Sequence, residues 1–296
     1  MAIRDLLIVG AGPSGLATAI AARQAGLDYV VVEKGLLVNS IFNFPTHMVF
    51  FTTPELLEIG GLPLITPYDK PTRLEALRYY RRVVDTFGLQ IAFQEEVAAI
   101  EREDGVFAVV TRGRRGTQRV RHARVVVLAT GYYDLPNHLG VPGEDLPHVK
   151  HYYSDAHPFY RQRVVVVGGR NSAAEAALEI FRGGGHVTLV HRRAALGDSI
   201  KYWVRPDIEN RIKEGSIAAR FDATVVRVIS RTQALKRAAI EPSLMRFSMS
   251  GLTQYLIESP SVGWRWTSVT CAPPRNSSRL ASAAEFLPPT TTTRRR

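Results

Sequence analysis

The chain has 296 residues, enough to bury a sizeable core and to divide into two domains of ordinary size. Its single cysteine, Cys271, excludes a disulfide framework and any CxxC redox pair. The formal charge of +11 would suit a phosphate polymer if it were clustered on a fold, but residues 230–296 hold ten Lys or Arg against three acids, so most of the excess belongs to the tail and no nucleic-acid partner is expected.

No run of eighteen uninterrupted apolar residues occurs, and the apolar N-terminal stretch is broken by glycines. A soluble, untargeted, cytoplasmic protein with no membrane partner is expected.

The opening segment LLIVGAGPSGLATAIAARQAGLDYVVVEKG predicts a strand over 3–9, a helix over 13–25 and a strand over 28–33, the βαβ order of a parallel sheet. Gly10, Gly12 and Gly15 satisfy GxGxxG directly after a strand and at a helix start, the context the motif requires. There Gly10 permits the tight turn, Gly12 lets backbone approach a pyrophosphate, and Gly15 allows close helix packing. The free amides of the helix end then face the anion. Glu33, eighteen residues beyond Gly15, can accept hydrogen bonds from a ribose 2′-hydroxyl, and its charge disfavours a 2′-phosphate. The alternative is that the glycines serve turns alone and Glu33 is a solvated acid at a strand end. Ser14 can cap the helix or touch the pyrophosphate. No base is identifiable beside it, so no catalytic residue is assigned.

A helix is expected over 73–87 with Leu74, Leu77, Tyr80 and Val84 on its apolar face, followed by short strands over 89–94, 106–111 and 118–128. The stretch VVVLATGYYDLPNHLGVPGEDLP ends a strand and turns Gly- and Pro-rich, the composition of a crossing linker. His138, His148, His151 and His157 fall in this region without HxH or HxxxH spacing, so no metal is expected.

RVVVVGGRNSAAEAALEIFRGGGHVTLVHRR then repeats the opening plan. Gly168 takes the first glycine position, while Arg170 and Ala173 replace the second and third, so the bare motif is degenerate. His191, Arg192 and Arg193 end the next strand about where Glu33 lies in the first unit, and two guanidinium forks suit a phosphate monoester. An acid in one fold and an arginine pair in the other predict a non-phosphorylated adenosine at the first and NADPH at the second. A solvated basic strand end is the alternative. After Val228 the texture shifts to Ser, Arg, Pro and Thr without sustained period, and no sheet is expected there.

These paired folds, with ATG at Ala129 to Gly131, resemble the flavin-dependent pyridine-nucleotide oxidoreductases of thioredoxin-reductase type. More specifically, EKGLLVNSIFNFPTHMVFFTTPELLEIGGLPLIT, KPTRLEALRYYRRVV, ATGYYDLPNHLGVPGEDLP and HYYSDAHPFY resemble the bacillithiol disulfide reductase family, over residues 4–228. The resemblance implies an α/β chain of two Rossmann-like dinucleotide-binding folds: an FAD domain over 1–131, a linker over 132–141, an inserted NADPH domain over 142–228, and a tail over 229–296. It implies FAD held by Gly10, Gly12, Pro13, Ser14, Gly15, Glu33, Lys34, Ser40, Asn43, Thr130 and Gly131, with the adenine near Val97. It implies NADPH held by Gly168, Gly169, Arg170, Asn171 and Ser172 and by His191, Arg192 and Arg193. The implied reaction is NADPH-dependent reduction of bacillithiol disulfide or a related low-molecular-weight disulfide, with homo-oligomerisation left open.

Two departures from the family pattern stand out. Members often read GPCG where this chain reads GPSG, and an alcohol is a far weaker nucleophile than a thiol near neutral pH. The TGY-type strand and AGD-like motif that return such chains to the FAD domain are both absent, and the tail ending TTTTRRR resembles an out-of-frame reading of a GC-rich gene. The chain is therefore expected to lack that return. Two alternatives stay open: a thiol-independent flavin reductase serving another electron acceptor, and a catalytically inactive nucleotide-binding fragment. Flavin monooxygenases share the paired folds, but their FxGxxxH fingerprint is not found around HVKHYYSDAHPFY.

Overall fold

The computed structural model describes residues 2–229; the expected loss of the return segment and the tail's texture concern residues outside them. Strand β1 (Ile3–Val9), helix α1 (Pro13–Gln24) and strand β2 (Tyr29–Glu33) form the expected opening unit. Every residue of β2, YVVVE, is buried, the pattern of a parallel strand covered on both faces. Further elements of this lobe are α2 (Asn39–Phe42), α3 (Arg73–Phe87), β3 (Ile91–Phe93), β4 (Glu95–Glu103), β5 (Val106–Gly113) and β6 (Gln118–Leu128). The sheet order is β3-β2-β1-β6-β5-β4. The first four strands pair in parallel, whereas β6, β5 and β4 form an antiparallel meander.

Two expectations need correction. Strand β4 was not anticipated, because EEVAAIERE carries charges at both ends of its run. What holds it in the sheet is long-range: buried Glu95 receives Arg121 Nε at 2.7 Å and Nη2 at 2.8 Å, and the Thr111 hydroxyl at 2.5 Å. The buried face of α3 is also rotated from the one expected. It comprises Ala76, Tyr79, Tyr80 and Val83, while Leu74 is exposed. The two tyrosines can be buried because loop backbone satisfies their hydroxyls: Tyr79 donates to Leu62 O at 2.8 Å and Tyr80 to Leu57 O at 3.0 Å. Thr72 and Glu75 close a full capping box at the start of this helix.

The Arg121 ion pair, with the Thr111 bond, holds the Glu95 carboxyl below its usual range against the opposing effect of burial. A depressed folded-state pKa contributes stability above the unfolded value, and that stability is lost as pH falls through the folded value. Arg121→Ala is therefore expected to cost on the order of 3 kcal/mol at pH 7 by leaving a buried carboxylate unpaired, and less in acid. Urea melts of both proteins between neutral and acid pH check this; an equal cost throughout would refute it.

After β6 the chain runs without a strand to the second lobe, whose elements are β7 (Arg163–Val167), α4 (Asn171–Arg182), β8 (His186–Val190), α5 (Arg205–Lys213) and β9 (Ala218–Arg220). Its parallel sheet has the order β7-β8-β9, and Leu178, Ile180, Leu189, Ile208 and Ile217 fill its core. The lobes touch directly. Lys201 of the second lobe is 4% exposed and is held by Glu175 Oε1 at 2.6 Å and by the Val49 carbonyl of the first lobe at 2.9 Å. Phe51 stacks on Trp203 with ring centres 5.7 Å apart. No helix among the described residues is long and apolar enough to cross a membrane.

Candidate functional site

At the first glycine turn the chain passes from β1 to α1 with Gly10 at φ +105°, a conformation that L side chains rarely adopt. A Cβ on Gly15 would collide with the Gly10 carbonyl, so this glycine lets α1 lie against the turn. A Cβ on Gly12 would meet nothing within 4 Å, so the turn presents bare backbone to open space. Gly12 is also the N-cap, and no side chain caps α1 and no acid stands in its first turn. Whereas the capping box of α3 occupies the N–H groups of Thr72 and Glu75, those at the start of α1 have no side-chain acceptor at the cap. Exposed Ser14 sits in this first turn.

Glu33 is 6% exposed, and its carboxylate takes two backbone donors, Ala11 N at 2.8 Å and Gly35 N at 2.7 Å. It thus ties the strand end to the glycine turn, a role sequence reasoning did not assign, and each oxygen keeps a lone pair for a ribose hydroxyl. Lys34 pairs with Asp134 at 2.8 Å, and that bond raises its pKa. Ser40 lies in α2, and its hydroxyl is 4.0 Å from where a Gly131 Cβ would stand, so these two sites meet. Asn43 caps α2, and its carbonyl accepts from the Tyr133 hydroxyl at 3.2 Å. Thr130 and Gly131 are exposed just beyond β6, beside Gly10, whose own Cβ would strike the Ala129 carbonyl. Val97, on β4, packs against the buried cluster of Leu7, Val30, Val32, Val109 and Ala123. These residues surround the same end of the first sheet.

The second turn repeats the plan with different chemistry. Gly168 has φ +144°, and Arg170 is the N-cap of α4, again with no side-chain cap and no acid in the first turn. The ring of His191 lies flat over Gly169, where a Cβ would stand 2.5 Å from its atoms. Burial, then Arg193, Arg192 and Arg170, lower the His191 pKa and so favour its neutral form. Its Nε2 is buried without a hydrogen-bond partner among the described residues. Arg170, Arg192 and Arg193 are exposed, and none has an ion-pair partner among those residues. Three unneutralised guanidinium groups around one imidazole form an anion site of high positive potential.

Asn171 is otherwise engaged. Its side chain donates to Ser199 O and accepts from Lys201 N, both at 2.7 Å, which fixes the loop leading to the lobe contact. Ser172 is exposed in the first turn of α4.

The residues fit two dinucleotides of different kind. One turn combines open backbone with a carboxylate; the other combines an uncapped helix start with guanidinium groups and an orphaned buried nitrogen.

A sequence profile of the pyridine nucleotide-disulphide oxidoreductases matches residues 7–241. Bacilliredoxin reductase Bdr of Bacillus subtilis is 42% identical over 223 residues, 75% of this chain and 67% of that protein. Among solved structures, bacillithiol disulfide reductase Bdr from Bacillus cereus superposes with a TM-score of 0.76 at 41% identity, covering 77% of this chain and 70% of that one. The Bdr from Staphylococcus aureus gives 0.74 at 39% identity, covering 77% and 69%.

Proposed function

Since the chain belongs to the pyridine nucleotide-disulphide oxidoreductase family, whose cofactors are FAD and NADPH, we propose that it oxidises NADPH to reduce bacillithiol disulfide or a related low-molecular-weight disulfide. The observation that carries this reading is the opposite chemistry of the two glycine turns, Glu33 closing one and Arg170, Arg192 and Arg193 surrounding the other. In this reading the first lobe holds FAD and the second holds NADPH.

The bound cofactors supply the hydride chemistry between nicotinamide and flavin. The chain's own residues bind and orient. The free amides of α1 and Gly12 receive one pyrophosphate, and Glu33 accepts from a ribose hydroxyl while holding the turn through Ala11 N. Arg192 and Arg193 would fork onto the 2′-phosphate, with the His191 ring packed against Gly169 at the floor of the turn. In the overall reaction, NADPH and one proton split the S–S bond into two thiols and release NADP⁺.

No cysteine lies among the described residues, so no protein thiol there can form a mixed disulfide. The test is steady-state NADPH oxidation with bacillithiol disulfide as acceptor, with the free thiols counted. Two thiols per NADPH are expected. NADPH consumption without thiol release would sink the disulfide reading in favour of another acceptor. Ser14→Cys is expected to raise disulfide turnover by at least roughly tenfold, because a thiol at a helix N-terminus has its pKa lowered toward about 7 and is then largely thiolate. Unchanged turnover in that variant would count against disulfide chemistry at this turn.

A further inference from the structure

Outside the two turns, the described residues bring together one other chemically distinctive cluster. His138, Glu144 and His151 lie on the segment leading from the first lobe to the second, and one ligand atom from each lies within 4.8 Å of the others. The carboxylate is built in. Glu144 is 6% exposed, and its oxygens receive Leu139 N and Gly140 N, each at 2.7 Å. These two bonds leave each oxygen a lone pair and fix the direction it faces.

His138 Nδ1 stands 3.4 Å and His151 Nε2 3.9 Å from the same oxygen, Glu144 Oε1. Both separations are too long for a good hydrogen bond. The first is close to the roughly 3.4 Å spacing of neighbouring ligands around an ion bound at about 2.0–2.1 Å in a tetrahedral shell, and the second is somewhat longer. The two rings meet edge to face with their centres 4.8 Å apart. His138 is mostly exposed, which leaves one side open to water.

We propose that His138 Nδ1, Glu144 Oε1 and His151 Nε2 bind a divalent transition-metal ion of zinc type, with water completing the shell. Two imidazoles and one carboxylate are borderline donors: they suit zinc, cobalt or nickel better than magnesium or calcium, and no thiolate is present to favour copper(I). The ion is structural. It closes the loop 138–151 on itself, and the segment leaving the second lobe packs on that loop, with Val228 N donating to Pro142 O at 2.8 Å. Val225 and Val228 there form a small core with Val141, Leu146 and Val149. The bound metal thereby stiffens the connection between the lobes.

The test uses the untagged full-length chain, stripped of metal with a chelator and titrated calorimetrically with zinc chloride, with cobalt(II) absorption reporting coordination geometry. One equivalent is expected to bind, raising the melting temperature and giving the intense visible bands of a four-coordinate cobalt site. His138→Ala and His151→Ala should each weaken binding at least about tenfold, and the double variant should abolish it, while His157→Ala should leave it unchanged. His138→Gln, at a mostly exposed position, guards against misfolding and should weaken binding as the alanine variant does. Absence of a binding equivalent, or binding indifferent to both histidines, would overturn the proposal.

Discussion

Gly12→Ala is expected to strip flavin from the protein while leaving the apo fold unharmed, and Gly15→Ala to damage both. The methyl group at position 12 meets no protein atom within 4 Å, and Gly12 has φ −78° and ψ 178°, which any residue adopts. It therefore costs the empty chain little and fills space that a pyrophosphate needs against bare backbone. At position 15 the same methyl runs into the Gly10 carbonyl. That carbonyl cannot retreat, since Gly10 N is bonded to Val32 O at 2.8 Å and the Ala129 carbonyl crowds the turn from behind. Helix α1 must lift instead, pulling Leu16, Ala19 and Ile20 from the core they share with Ile8 and Val31. The overpacking costs about 1–3 kcal/mol. The flavin-to-protein absorbance ratio and the melting temperature of the apo form separate the two variants. A Gly12→Ala protein that keeps its full flavin complement would show that no pyrophosphate lies on this turn.

Arg192→Ala and Arg193→Ala should each weaken NADPH binding by roughly 10- to 150-fold, the worth of a hydrogen bond to a charged group, with little effect on NADH. The discrimination arises because only NADPH carries the 2′-phosphate, and because no carboxylate among the described residues already neutralises either guanidinium. Stopped-flow or calorimetric titration of both nucleotides measures it, and raising the ionic strength should narrow the difference. Equal losses for NADPH and NADH would mean that these arginines serve some other part of the lobe.

Much of this architecture was legible before any coordinates, and the readable parts share one property: each is encoded within about thirty residues of chain. The strand-turn-helix-strand unit at 3–33, the tight turn at Gly10, the close helix packing at Gly15, and the basic run after β8 follow from steric rules and spacings that local sequence carries in full. The extent of the helix at 73–87 was readable for the same reason, though not its buried face.

What the tertiary structure alone decided depends on partners far apart in the chain. Strand β4 looks polar until Arg121 and Thr111 reach Glu95, and the buried face of α3 turned on which loop carbonyls could accept from Tyr79 and Tyr80. Glu33 reads as a ribose acceptor in sequence, yet its grip on Ala11 N exists only once β2 lies beside β1. His138 and His151 have no metal-ligand spacing, and only the fold of the linker around buried Glu144 sets them on one oxygen. Local sequence thus determined the two turns and the charges at their mouths. The burial of Glu95, the seating of Lys201 between the lobes and the linker cluster were decided by packing, because a charged side chain's fate depends on whether a distant partner repays its loss of water.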